Sequence, residues 1–282
     1  MKVLVAQHAG VCYGVQRALN LAHASVEKNA AQNVYSLGPL IHNPQAVEQL
    51  RTSGVVVADS PDSLKEGTLI IRSHGVAPSV ISAAQERGLH VVDATCPHVS
   101  KAQKSAQMLA QEGYLVIIVG EADHPEVAGI KAYAGPEALV VSHAAHLPKK
   151  LSSRRVGVVV QTTQVVEILN EVVADLLPRT NELRIFNTIC SATAQRQQAA
   201  RELASKVDVV IVVGGHNSGN TTRLAEICRE RNPKTYHVET AQELEPAWFE
   251  EAGLVGVTAG ASTPDEQMRG VITIIEEMDA HS

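Results

Sequence analysis

Aromatic residues are scarce in this chain: two Phe, five Tyr and one Trp among 282 residues. The net charge is -6 with His neutral. A nucleic-acid-binding face needs basic patches and stacking aromatics, so that class is excluded. Long hydrophobic runs are missing as well. The longest apolar stretches, such as residues 114–119, fall far short of the roughly 20 residues that a membrane span requires. The chain enters a strand-like run at Lys2, so no signal peptide is expected. Four cysteines are too few and too scattered for a disulfide framework, and no CxxC spacing occurs. Neither GxGxxG nor GxxxxGK[ST] is present, which leaves nucleotide binding without support. The expectation is a soluble cytoplasmic protein with neither a nucleic-acid nor a membrane partner.

What is present is alternation. Short β-branched runs at residues 2–6, 34–37, 55–58, 68–71, 90–92, 114–119, 156–160, 183–186, 207–213 and 255–258 are separated by helical patterns. That predicts an α/β fold with mostly parallel sheets. A helix from about Gly14 puts Val15, Leu19, Ala22 and Val26 on one face. Asn43 suits an N-cap and Pro44 the first helical position after it. A weak threefold repeat predicts three α/β lobes: 1–95, 96–190 and 191–282.

Three single cysteines mark that repeat. Cys12, Cys96 and Cys190 each lie just beyond a strand-like run, with a helical pattern starting within a few residues. A helix N-terminus stabilises thiolate over thiol. An isolated cysteine is more often a small buried apolar residue than a ligand. Three in equivalent strand-to-helix loops point together to a metal site. Cys228 is the control: with Leu224 and Ile227 it falls on one helical face and reads as core.

Ligands in open α/β sheets bind beyond the carboxyl ends of the strands. That rule selects His42, His74, His124, Glu126, Thr162, Ser218, Asn220 and Ser262. His42, His74 and His124 each have a small or rigid neighbour, in Asn43, Gly75 and Pro125. The other nine histidines, from His8 to His281, are read as structural or surface groups. The selected set is rich in neutral donors and imidazoles, which suits an anionic oxygen cluster such as a diphosphate. Gly214, Gly215 and Gly219 would let backbone N–H groups approach it ahead of a helix. Glu126, beside a metal and an anion, becomes a candidate proton donor if burial raises its pKa.

Several stretches in chain order resemble the LytB-type hydroxymethylbutenyl diphosphate reductase family. They are residues 10–15 (GVCYGV), 42–43 (HN), 73–76 (SHGV), 93–97 (DATCP), 124–127 (HPEV), 161–163 (QTT), 217–220 (NSGN) and 258–262 (TAGAS). The resemblance implies a three-lobed α/β fold around a central [4Fe–4S] cluster, with Cys12, Cys96 and Cys190 as ligands and one open iron for the substrate hydroxyl. It implies reductive dehydroxylation of 4-hydroxy-3-methylbut-2-enyl diphosphate to isopentenyl and dimethylallyl diphosphates, the last step of the non-mevalonate (MEP) isoprenoid route. His42, His74, His124, Thr162, Ser218, Gly219, Asn220 and Ser262 would bind substrate. Glu126 would be the proton donor, helped by Thr162. An external electron donor such as ferredoxin or flavodoxin is implied too. Gly219 stands where the family commonly has a second Ser, and Val11 and Tyr13 flank Cys12 where Phe and a smaller residue are frequent. Two other readings of the same residues stay open: a zinc-dependent hydrolase using some of the cysteines and a histidine, and an iron–sulfur sensor without turnover.

Overall fold

β-branched runs buried on both faces favour parallel strands, and those strands need helical crossovers. The computed structural model describes residues 1–28 and 33–280, and its strands and helices alternate accordingly. The chain opens with β1 (Lys2–Val5) and α1 (Tyr13–Lys28). Next come β2 (Val34–Leu37), α2 (Pro44–Thr52), β3 (Val55–Ala58), β4 (Thr68–Ile71), α3 (Pro78–Glu86) and β5 (His90–Asp93). They are followed by α4 (Pro97–Gln111), β6 (Leu115–Val119), α5 (Pro125–Ala134), β7 (Leu139–Val141), β8 (Arg155–Val160), α6 (Val166–Leu176) and β9 (Glu182–Phe186). The last stretch holds α7 (Ser191–Ala204), β10 (Val209–Val213), α8 (Gly219–Arg229), β11 (Thr235–Val238), β12 (Leu254–Ala259) and α9 (Asp265–Ala280). His281 lies outside the described residues.

Two units carry three parallel sheets. The first unit comprises Met1–Gln16, Ile41–Glu48 and Ser191–Ser282, with the sheet β1-β12-β10-β11. Its centre is β10, buried at every position and paired with β11 and β12. The second unit, Arg17–Leu40 and Gln49–Cys190, holds the sheets β3-β2-β4-β5 and β7-β6-β8-β9. Strands β4 and β6 are buried throughout. Ala102, Ala106 and Leu109 of α4 and Ile130 of α5 pack together with Ile118 and Val159 on one face of the sheet.

The three sheets share one topology. Taken in order along the chain, β2 to β5 are arranged 2-1-3-4, and so are β6 to β9. The remaining sheet repeats the order with β10, β11 and β12, and β1 supplies its fourth strand through parallel pairing with β12. In such a sheet the strand order reverses between strands one and three, which opens a ligand-binding crevice at their carboxyl ends. Strands β7 and β11, the second of their sheets, were not expected from sequence; both are short edge strands. Helix α7 starts at Ser191, two residues ahead of the expected Thr193.

Candidate active site

Each sheet delivers the same three loops. After the first strand come His42 (from β2), His124 (from β6) and Ser218 with Asn220 (from β10). After the third come His74 (from β4), Thr162 (from β8) and Ser262 (from β12). After the fourth come Cys96 (from β5), Cys190 (from β9) and Cys12 (from β1). The residues selected from sequence thus occupy the switch-point loops and the loop beside them. The cysteine loop is tied to the third-strand loop of its own sheet by a backbone hydrogen bond in every case. Cys96 donates to Ser73 at 2.9 Å, Cys190 to Thr162 at 2.9 Å and Cys12 to Ala261 at 3.1 Å.

The second unit contains an acid with a built environment. Glu126 sits in the first turn of α5 and is 2% exposed. Its Oε1 accepts the backbone N–H of Thr162 at 2.6 Å, and its Oε2 accepts the Thr162 hydroxyl at 2.8 Å. Burial pushes its pKa up to about 7, against the lowering effect of both Thr162 bonds. A carboxyl poised near neutrality can hold a proton and release it. His124 is the N-cap of α5, and its Nδ1 accepts the N–H of Glu126 at 3.1 Å. That bond leaves Nε2 as the protonated nitrogen of the neutral ring. The His74 ring meets the His124 ring edge-on, with centroids 5.7 Å apart.

The first unit contains a donor-rich turn. Ser218 caps α8, its hydroxyl accepting the N–H of Thr221 at 3.3 Å. Asn220 is buried, and its Nδ2 has no hydrogen-bond partner among the described residues. An unmet buried donor next to a helix N-terminus suits an anion. Ser262 donates to the His42 carbonyl at 2.9 Å, which fastens the β12 loop to the segment preceding α2. Asn43 caps α2 as expected, accepting the N–H of Ala46 at 2.9 Å. Gly215 is required here, because a Cβ would stand 2.7 Å from Asn217 Oδ1 and 3.1 Å from the His42 carbonyl oxygen.

Among the described residues, Cys12, Cys96 and Cys190 form no disulfide, and all three are half-buried. Cys96 is the N-cap of α4, while Cys12 and Cys190 immediately precede α1 and α7. Soft thiolates at helix N-termini suit an iron–sulfur cluster or another thiophilic metal. Cys12 belongs to the first unit and Cys96 and Cys190 to the second. Among the described residues, no group of three His, Cys, Asp or Glu side chains is gathered as a metal site. Cys228 is the core residue expected: it is 0% exposed, and desolvation pushes its thiol up to about 12. Sequence reasoning missed Arg17, which donates to the carbonyls of Thr95 at 3.1 Å and Asp93 at 3.2 Å and so braces the Cys96 loop. No helix among the described residues is long and apolar enough to cross a membrane.

Residues 3–276 match the family model described as LytB protein. The chain is 51% identical to the 4-hydroxy-3-methylbut-2-enyl diphosphate reductase of Pelobacter propionicus over 264 residues, covering 94% of both chains. It is 50% identical to the enzyme of the same name from Geotalea uraniireducens, over 99% of this chain and 98% of that one. Among solved structures it resembles (E)-4-hydroxy-3-methyl-but-2-enyl diphosphate reductase, described as the terminal enzyme of the non-mevalonate pathway. That likeness has a TM-score of 0.73 and 45% identity, covering 98% of this chain and 100% of that one. It also resembles the Plasmodium falciparum diphosphate reductase, with a TM-score of 0.90 and 26% identity over 97% of this chain and 87% of the other.

Proposed function

The chain belongs to the LytB family, and from that premise we propose that it is a 4-hydroxy-3-methylbut-2-enyl diphosphate reductase. The reaction takes up two electrons and two protons, breaks the allylic C–O bond, and releases one water. Isopentenyl and dimethylallyl diphosphates are the products.

The observation that carries this reading is the Glu126–Thr162 pair. A buried carboxyl with a pKa of about 7 and a hydroxyl donating to it forms a proton source for a leaving hydroxide. The residues that carry the family motifs, His42, His74, His124, Ser218, Gly219, Asn220 and Ser262, are the proposed donors for the diphosphate and the hydroxyl. The unmet Nδ2 of Asn220 and the N-terminus of α8 favour the anionic tail. Binding that tail orients the allylic alcohol, so affinity at one end serves geometry at the other.

The donor set of Cys12, Cys96 and Cys190 fits a [4Fe–4S] cluster with three protein ligands, and such a cluster, when bound, supplies the electrons and Lewis acidity toward the C–O bond. Two electrons per turnover call for an external redox donor, and analogy with the family favours ferredoxin or flavodoxin. A groove beside the Cys96 loop suits the docking of an acidic carrier. Thr95 and Pro97, which flank Cys96, line it together with three cations, Arg17, Lys101 and Lys104, against one carboxylate, Asp93. Lys101 and Lys104 are exposed on α4, the helix that Cys96 caps.

The deciding experiment is iron and acid-labile sulfide per chain after anaerobic purification, followed by turnover with the allylic diphosphate and a small-molecule reductant. About four of each per chain, with both products formed, is the expected result. A zinc-loaded, air-stable protein without turnover would overturn the reading.

A further inference from the structure

A cavity of about 430 Å³ within the second unit takes no part in the chemistry described above. It opens at the carboxyl ends of three neighbouring strands. Gly38, Asp59 and Arg72, the residues immediately after β2, β3 and β4, all line it. That edge is where open α/β sheets hold ligands. Among the described residues, the Arg72 guanidinium makes no hydrogen bond or ion pair, and its Nε is buried without a partner. Burial holds its pKa below the ordinary guanidinium value, with no carboxylate acting in the other direction. A desolvated, unanswered charge is costly to a fold.

The surroundings are shaped around that charge. Gly38 has φ +69, which favours glycine, and a Cβ there would stand 2.9 Å from Arg72 Nη1 and displace the guanidinium from the strand end. Ala77 is the N-cap of α3 and provides no side-chain cap, so the first-turn amides add partial positive charge at the same wall. Val76, Val80, Pro39 and Pro61 supply an apolar wall, and Ser60 adds a hydroxyl beside it. The exposed Asp59 would repel an anion from its own side of the cavity, which places a negative group at Arg72 instead.

We propose that this cavity is a binding site for a small organic anion. A phosphate or carboxylate head pairs with Arg72, and an apolar body rests on Val76 and Val80. Arg72 stands two residues before His74, and Pro125, another lining residue, lies between His124 and Glu126. An occupant therefore touches the backbone segments that carry those side chains.

Calorimetric titration of the anaerobically purified, full-length protein tests this. The probes are phenyl phosphate, hexanoate and inorganic phosphate; the variants are Arg72→Met, Val80→Trp and Ser218→Ala. Phenyl phosphate or hexanoate, whichever head is preferred, should bind at least tenfold tighter than inorganic phosphate. That affinity should fall at least tenfold in Arg72→Met and Val80→Trp and hold in Ser218→Ala. Loss in Ser218→Ala would assign the binding to the turn of the first unit and overturn the proposal. Full retention in a folded Arg72→Met, or no binding of either organic anion, would overturn it too. Should Arg72→Met fail to fold, Val80→Trp decides, because it keeps the cation and fills the apolar wall.

Discussion

The backbone N–H of Cys190 donates to the carbonyl of Thr162 at 2.9 Å, and the N–H of that same threonine donates to Glu126 at 2.6 Å. One residue thus links a thiol loop to the buried acid. Thr162→Val keeps both backbone bonds and removes only the hydroxyl bond to Oε2. That bond lowers the pKa of Glu126 against burial, so its loss should move the general-acid limb of the pH–rate profile to higher pH. Losing one hydrogen bond to a charged group, about 1.5 kcal/mol, corresponds to roughly tenfold in turnover. Iron content should stay the same, and Thr162→Ser should restore rate and profile. An unmoved limb in the valine variant would remove the hydroxyl from the proton relay.

Glu126→Gln tests the acid itself. Turnover should fall by about 100-fold or more, with substrate affinity and iron content kept, because the amide fills the same space but carries no acidic proton. Near-normal turnover would move the proton source elsewhere.

The same carboxyl sets a pH signature in stability. Its folded pKa of about 7 lies above the ordinary value of 4.5. As pH rises, the unfolded chain releases the proton first. The stabilising contribution is therefore full below about 4.5 and is lost as pH rises through about 7. At 1.36 kcal/mol per pKa unit the window is worth on the order of 3 kcal/mol. Denaturant titrations from pH 4 to 8 should show the native protein losing stability relative to Glu126→Gln as pH rises. Parallel curves would mean that the carboxyl has its ordinary pKa.

The alternation of strands and helices was legible because buried parallel strands are written as continuous β-branched runs, as at residues 207–213. Sheet membership was not. Nothing local in Lys2–Val5 says that β1 pairs with β12 across most of the chain, because a strand pattern encodes a pleat and not a partner. The proposed site residues were visible as chemistry-bearing residues in strand-end loops. Their equivalence became clear only with the 2-1-3-4 order, which puts His124, Ser218 and Asn220 after first strands and His74, Thr162 and Ser262 after third strands. Arg17 escaped notice because a lone arginine on a helix reads as solvated surface until its bonds to Asp93 and Thr95 are seen.

The cysteines divide cleanly under substitution. Cys12→Ser, Cys96→Ser and Cys190→Ser should each lose most of the iron, since a hydroxyl is a poor substitute for a thiolate toward a soft metal. Cys228→Ser should keep it, because a thiol pushed up to about 12 stays protonated at neutral pH and is packed among Ala200, Val210 and Leu224. Metal analysis after anaerobic purification reads this directly; iron loss in the Cys228 variant would mean that the ligand set is misassigned.

The groove beside Cys96 makes a prediction that separates docking from chemistry. Lys101 and Lys104 lie three residues apart on α4, so their side chains share a face, and both are exposed. The chain as a whole is negative, so an acidic carrier meets net repulsion except where cations cluster. Such steering falls off beyond a Debye length, about 10 Å at 0.1 M salt. The Lys101→Glu, Lys104→Glu double variant should therefore raise KM for a ferredoxin-type donor by about tenfold at low salt, with the difference shrinking as salt is added. Turnover with reduced methyl viologen, which needs no docking face, should be unchanged. Equal losses with both reductants would mean that the substitutions disturb the Cys96 loop itself. An unchanged KM for the protein donor would move the docking face away from α4.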